Sequence, residues 1–338
     1  MLYTAFHTNS YDRRLSLLSD LLVLRPELGR FVKRLSLRWS DKDEEENHKI
    51  ISRCPNMFIF SSLLQRYSYN HCRPWWGRGL PKTIRSFDAD VENIPVNDIL
   101  SLLETLPHLE LLHLSVLTGC LVRPAPVSLT ALRILSIYYS IIAQNTSSSP
   151  PVSPAMQLPS LTTLDPDRIP VQAWRSFPLD ALRGVEYLQV SGPSNYLGRH
   201  SDYLSNLRYL EIFTDSIGFR DWLTYIPLHQ LECITVEPTD LALARWRAAF
   251  EVDFFILLDA KAMPKLKRFE LVWGPTGIYG YFHQEIYRIG NGKYFFESFE
   301  SLVRGFEQRN VLFVEKKGIE IYPRFQTVHN VLITCKTA

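Results

Sequence analysis

Apolar residues recur along this chain in one spacing, apolar-x-x-apolar-x-apolar, and the triplets follow one another for most of its length. The earlier ones are Val32/Leu35/Leu37, Met57/Phe60/Ser62, Ile84/Phe87/Ala89, Leu109/Leu112/Leu114 and Leu132/Leu135/Ile137. The later ones are Leu161/Leu164/Pro166, Val185/Leu188/Val190, Leu207/Leu210/Ile212, Leu231/Ile234/Val236 and Leu266/Phe269/Leu271. Between third positions the steps are 25, 27, 25, 23, 29, 24, 22, 24 and 35 residues. The second and third positions lie two apart, so both point to one side of a strand. Three residues before most triplets stands another apolar residue: Cys54, Leu106, Leu129, Leu158, Leu182, Leu204, Leu228 or Met263. Proline two residues before the triplet, at Pro55, Pro107, Pro159 and Pro264, ends a preceding helix and presets an extended start. Each unit therefore predicts helix, turn and short strand. Helix starts are signalled at Asn97 or Asp98 ahead of Ile99 to Leu106, at Ser216 ahead of Phe219 to Ile226, and at Thr239 or Asp240 ahead of Leu241 to Ala262.

A triplet of this kind at a period of roughly 20–29 residues is the pattern of leucine-rich repeats. The predicted fold is α/β, an irregular leucine-rich-repeat solenoid with a curved parallel sheet on the concave side and helices on the convex side. The asparagine ladder of regular repeats is missing. Three beyond the last anchor stand Ser40, Leu117, Ser140, Asp215, Thr239 and Gly274, so a loosely curved arc is expected. Residues 1–30 read as an N-terminal helical cap, 31–275 as the array and 276–338 as a C-terminal cap, because an open repeat end needs shielding. Within the array, 144–159 is a Ser/Pro-rich loop expected not to order, and Asp41 to Glu46 reads as a solvated acidic loop.

Side chains beside the second and third anchors should face away from the core, onto the concave sheet. These positions hold Arg34, Ser36 and Arg38; Asp88 and Asp90; His113; Ser136 and Tyr138; Tyr187 and Gln189; Tyr209, Glu211 and Phe213; Thr235 and Glu237; Arg268 and Glu270. Tyrosine and arginine are enriched at interface hot spots, which makes this stripe the expected partner-binding surface. Aromatics also pack across strands for purely structural reasons. A loop with adjacent Trp75 and Trp76 between Arg73 and Arg78 is a second expected contact, unless both rings fold over the edge of the array.

The opening Leu2 to Phe6, the helix-like Arg14 to Leu24, the phrase Phe31 to Leu37 and Cys54-Pro55-Asn56-Met57 resemble the repeat region of fungal F-box and leucine-rich-repeat proteins. The resemblance covers about residues 1 to 275. It implies a repeat surface that holds a target protein. In that family an N-terminal F-box docks on a Skp-type adaptor and joins a ubiquitin ligase. No L-P-x-E-like F-box phrase is present, and Met1 stands roughly where that module would end. The expectation is the target-binding half without the adaptor-docking half, with an adaptor contact only if an F-box lies upstream. The alternative is a ubiquitin-independent scaffold.

Charge narrows the partner little. Lys+Arg 37 against Asp+Glu 35 leaves +2, spread along the chain, so no nucleic-acid footprint is expected. The five cysteines are far apart and never in C-x-x-C spacing, which fits reduced thiols in the cytoplasm or nucleus. No signal peptide or apolar membrane span is seen. The nine histidines form no H-E-x-x-H, and His71-Cys72 has no second pair at zinc spacing. Gly290-Asn291-Gly292-Lys293 lacks the spacing of a phosphate loop and reads as a turn. No G-x-S-x-G occurs. The expectation is a non-enzymatic recognition module with no cofactor and no metal.

Overall fold

Each described triplet runs into a β-strand, and successive strands pair in parallel. The computed structural model describes residues 4–8, 13–39, 44–64, 79–90, 96–117, 126–139, 156–165, 178–191, 201–214, 228–238, 257–273 and 292–317. They fall into two compact units, Met1–Val190 with Ser194–Asn206, and Ser191–Pro193 with Leu207–Ala338.

In the first unit the strands are β1 (Thr4–Thr8), β2 (Val32–Trp39), β3 (Ile59–Leu64), β4 (Ser86–Asp90), β5 (Leu111–Leu117), β7 (Ile134–Tyr139), β9 (Thr163–Asp165) and β10 (Tyr187–Ser191). All pair in parallel in that order. The register sets the second anchors side by side: Leu35 opposite Phe60, then Phe87, Leu112, Leu135, Leu164 and Leu188. Every one of these is fully buried. Burying a side chain of this size is worth about 1.5–3 kcal/mol, so the row is the main cohesive element of the unit. The weak third anchors Ser62 and Ala89 are buried as well. Pro166 lies outside the described residues.

The second unit repeats the plan with β11 (Tyr209–Thr214), β12 (Cys233–Pro238), β13 (Arg268–Trp273) and β14 (Leu312–Lys317), again all parallel. Its row is Leu210, Ile234, Phe269 and Phe313. Phe269 stacks on Phe306 at 5.1 Å and on Phe313 at 5.9 Å between ring centroids. Phe306 comes from α5 (Gly292–Gln308), which packs on β14. Strands β1 and β14 belong to the segments predicted as caps, and each adds one more strand to its ladder.

The second layer departs from helix-in-every-unit. Helices α1 (Arg13–Leu24), α2 (Glu44–Ser52), α3 (Val96–Leu103) and α4 (Leu179–Leu182) follow the prediction. Ahead of β7 and β9, however, the connecting segments contain short strands, β6 (Val127–Ser128) and β8 (Met156–Gln157), which pair in parallel. Pro124 and Pro126 precede β6, and Pro150, Pro151 and Pro154 precede β8. Proline at that density removes the amide donors a helix needs. Met156 to Pro159 thus belong to ordered structure, contrary to the loop expected over 144–159. The rest of that loop lies outside the described residues. Leu257 and Leu258 are 3-10 helical and Ala260 to Ala262 form a turn, while 241–256 and the helix predicted at 219–226 fall outside the description.

The acidic run is corrected too. Glu44, Glu45 and Glu46 open α2, where carboxylates favour the helix N-terminus. Hydrogen bonds from Ser19 first and Lys49 second hold Glu46 below the usual carboxylate range. The next residue, Asn47, is fully buried, and neither polar atom of its amide has a hydrogen-bond partner among the described residues. Such a group costs about 1–3 kcal/mol.

Gly29, in the turn before β2, meets the next unit closely. A Cβ there would stand 1.8 Å from the Arg53 carbonyl oxygen. Gly29→Ala is expected to cost about 1–3 kcal/mol through a forced backbone shift, measurable as a lowered urea midpoint. An unchanged midpoint would mean that the two turns are not in contact.

Candidate binding surface

In a strand whose anchors face the core, the residue between the second and third anchor must face the other way. The parallel register places those residues side by side, as it does the anchors. In the first unit they form the row Ser36, Ser61, Asp88, His113, Ser136 and Asp165. Neighbours in this row bond laterally. The Ser61 hydroxyl donates to Asp88 Oδ2 at 3.0 Å, and the Ser136 hydroxyl donates to Asp165 Oδ2 at 2.9 Å. His113 Nδ1 lies 2.9 Å from Ser136 Oγ. Serine has one proton, and it goes to Asp165, so Nδ1 carries the hydrogen and donates to the hydroxyl.

That order decides the chemistry. A nucleophilic serine gives its proton to an imidazole whose far side is held by a carboxylate. Here serine stands in the middle, proton toward the carboxylate, and the imidazole is its donor. The trio ties three strands together.

The second unit carries Glu211, Thr235 and Glu270 in the equivalent row. Thr235 donates to Glu270 Oε2 at 3.0 Å, and the Arg268 guanidinium pairs with the other Glu270 oxygen. Beside this row stand Tyr209, Phe213 and Glu237, all half-buried.

Of the positions expected on this face, Arg34 and Arg268 are exposed, and Asp88, His113, Tyr187, Tyr209, Phe213 and Glu237 are half-buried. Gln189, Glu211 and Glu270 face the expected way but are buried rather than exposed. Arg38 lies in β2 and Tyr138 in β7, with side chains outside the description. Trp75, Trp76 and the His71-Cys72 pair are outside the described residues altogether.

A second charged feature was not anticipated. The residue just after each first anchor stands immediately before the strand, or within it for Lys33, and these positions form a column: Lys33, Phe58, Arg85, Glu110, Arg133, Thr162 and Glu186 in the first unit, and Arg208, Glu232 and Lys267 in the second. Seven of the ten carbonyls in the column accept two amides from the following unit. Arg85 O takes the N–H groups of Glu110 and Leu111 at 2.8 and 2.9 Å, and Glu232 O takes those of Lys267 and Arg268 at 2.9 and 3.1 Å. The side chains pair along the same line. Arg85 meets Glu110 at 3.3 Å, while Glu232 receives Arg208 Nε at 2.6 Å and Lys267 Nζ at 2.8 Å. The Arg208 bond first, then the Lys267 bond, hold the Glu232 carboxyl down to about 2. The signal lay in the sequence as alternating charge at one repeat position.

Cys54 is fully buried, and burial pushes its thiol up to about 11, which leaves it protonated and inert. Among the described residues, no three His, Cys, Asp or Glu side chains converge as metal ligands, and no helix is long and apolar enough to cross a membrane. Compared with protein-family models and with curated proteins, the chain matches none.

Proposed function

We propose that this chain is a leucine-rich-repeat recognition module that captures a protein noncovalently on the polar face of its ladders. It resembles the substrate-binding part of a ubiquitin-ligase receptor of the fungal F-box and leucine-rich-repeat type. The observation that carries the reading is the register. In each unit it turns one position per repeat into a row of hydrogen-bonding side chains, with half-buried Tyr187 in the first unit and half-buried Tyr209 and Phe213 in the second beside them. Rings held by a sheet contribute contact area with little entropy left to lose. The serine-centred order of the trio supports a non-catalytic role. The five widely spaced cysteines, with Cys54 a buried free thiol, support a reducing compartment, the cytoplasm or nucleus. Neither nucleic acid nor cofactor enters this reading.

The test is co-purification of partners with wild type and with Tyr209→Ala/Phe213→Ala, each variant first checked for an unchanged thermal melt. The double variant is expected to lose about 2 kcal/mol or more of partner affinity. Undiminished recovery would move recognition to other surfaces, with Trp75 and Trp76 the next to test. A Skp-type adaptor recovered with the target favours the ligase receptor, and target alone favours the scaffold.

A further inference from the structure

Charge at the strand starts is balanced in one unit and unbalanced in the other. In the second unit Arg208 and Lys267 meet Glu232, and Lys265 Nζ donates to Gln230 Oε1 at 2.6 Å. The first unit differs. From two residues before the first anchor to one after it, the five repeats from β2 to β7 hold Arg30, Lys33, Lys82, Arg85 and Arg133 against one carboxylate, Glu110. Arg85 meets that carboxylate at 3.3 Å, and the other four cations make no ion pair among the described residues. Lys33 is half-buried and the rest are exposed.

Register gathers these cations into one strip. The Phe58 amide donates to the Lys33 carbonyl at 3.1 Å, that of Arg85 to Phe58 at 2.8 Å, that of Glu110 to Arg85 at 2.8 Å and that of Arg133 to Glu110 at 2.9 Å. The turns just ahead are laced in the same order, with Asn56 Nδ2 donating to the Arg30 carbonyl at 3.1 Å and Thr83 Oγ1 to the Pro55 carbonyl at 3.2 Å. Arg30 and Lys33 therefore stand on one side of the β3 repeat and Lys82 and Arg85 on the other, two strand steps or about 10 Å apart. Between them the β3 repeat supplies only uncharged residues, Pro55 to Phe58. Two pairs of long cationic side chains across a neutral gap of that width can close on an anionic group from both sides. Arg133 lies two steps further on, past Glu110.

We propose that this strand-start strip docks an acidic segment of a protein partner, with aspartate or glutamate side chains held between the Arg30/Lys33 and Lys82/Arg85 pairs and again at Arg133. Charge complementarity fixes the sign of the occupant. Length and interruption fix its class. From Lys33 to Arg133 the strip runs four strand steps, about 19 Å, which an extended peptide covers with about six residues. A peptide can set carboxylates opposite the cations and a neutral residue opposite Glu110. A nucleic-acid strand carries a charge on every phosphate and would set one against Glu110. Beyond Arg133, moreover, the same position holds Thr162 and Glu186, so no basic track continues. The polar face and its aromatic residues take no part, and the inference stands independently of the recognition reading.

The experiment is fluorescence anisotropy of a labelled oligoglutamate peptide titrated with the full chain at low and physiological salt, with oligoglutamine and a single-stranded oligonucleotide as the other probes. Wild type is expected to bind oligoglutamate, less tightly as salt rises, and to ignore oligoglutamine. Lys33→Gln/Lys82→Gln/Arg133→Gln should weaken that binding by about tenfold or more, with an unchanged thermal melt. Glu110→Gln should tighten it. Glu300→Gln makes the same change in net charge but releases Arg304 on α5, in the second unit, and should leave binding as it was. A wild type that ignores oligoglutamate, a triple variant that binds like wild type, or equal shifts from Glu110→Gln and Glu300→Gln overturns the proposal. Tighter binding of the oligonucleotide, lost in the triple variant, would give the strip to nucleic acid and overturn it too.

Discussion

Phe269→Ala is expected to destabilise the second unit by about 3–5 kcal/mol. Phe269 is fully buried, stacks on Phe306 and Phe313, and stands in register between Ile234 and Phe313. Removing the ring leaves a void bounded by a strand on each side and by α5 above. Neither strand can close on it without breaking ladder hydrogen bonds, and α5 is anchored at its far end. There Arg309 donates to the carbonyls of Leu257 and Met263. Leu210→Ala, a smaller deletion in the same row, should cost about 2–5 kcal/mol. Chemical denaturation followed by far-UV circular dichroism measures both. A loss below about 1 kcal/mol at Phe269 would show that the second anchors do not face a packed interior.

The second large effect is in acid. Glu232 is held down to about 2 by Arg208 and Lys267, below the ordinary value of 4.5. A carboxylate depressed in the folded state stabilises the fold above its unfolded value, and that contribution is lost as pH falls through its folded value. Stability is thus expected to be flat above about pH 5 and to decline from there toward pH 2. At about 1.4 kcal/mol per unit the contribution is at most ~3 kcal/mol, reduced by solvent around the exposed partners. Glu232→Gln should remove that part of the acid limb and leave the slope above pH 5 unchanged. An identical acid limb in the variant would assign the loss to other carboxylates.

How far the sequence reaches can be judged position by position. The anchors Leu112, Leu135, Leu188, Ile234 and Phe269 were legible because a strand buried on one side leaves a period-two signature. Ten repetitions fix its phase. The direction of Tyr209 and Glu211 follows from the same alternation: one faces outward because its neighbour faces inward. Exposure does not follow. Glu211 and Glu270 face outward yet are buried, since their depth depends on the heights of side chains on adjacent strands, which sequence order does not list together. The Arg208–Glu232–Lys267 clasp was hidden for the same reason. Its members are 24 and 35 residues apart and become neighbours only through register. The strand β6 is hidden where apolar spacing is read and the prolines before it are not, and β8 because the Ser/Pro density before it reads as a loop that does not order.

The doubled acceptors at the strand starts bear on how the protein could change length. Where a carbonyl takes the first two amides of the following strand, a slip of one residue would strand an amide and rotate every anchor to the wrong face. Register is thereby set locally, at the front of each strand, and owes nothing to the length of chain that returns from its back. Residues added behind a strand, as in the 35-residue step before Leu271, leave the ladder untouched, whereas one residue added between a first anchor and its strand would unseat it. The chain is open to growth at one end of every repeat and closed at the other, which divides it into positions where new loops can be grafted and positions where none can.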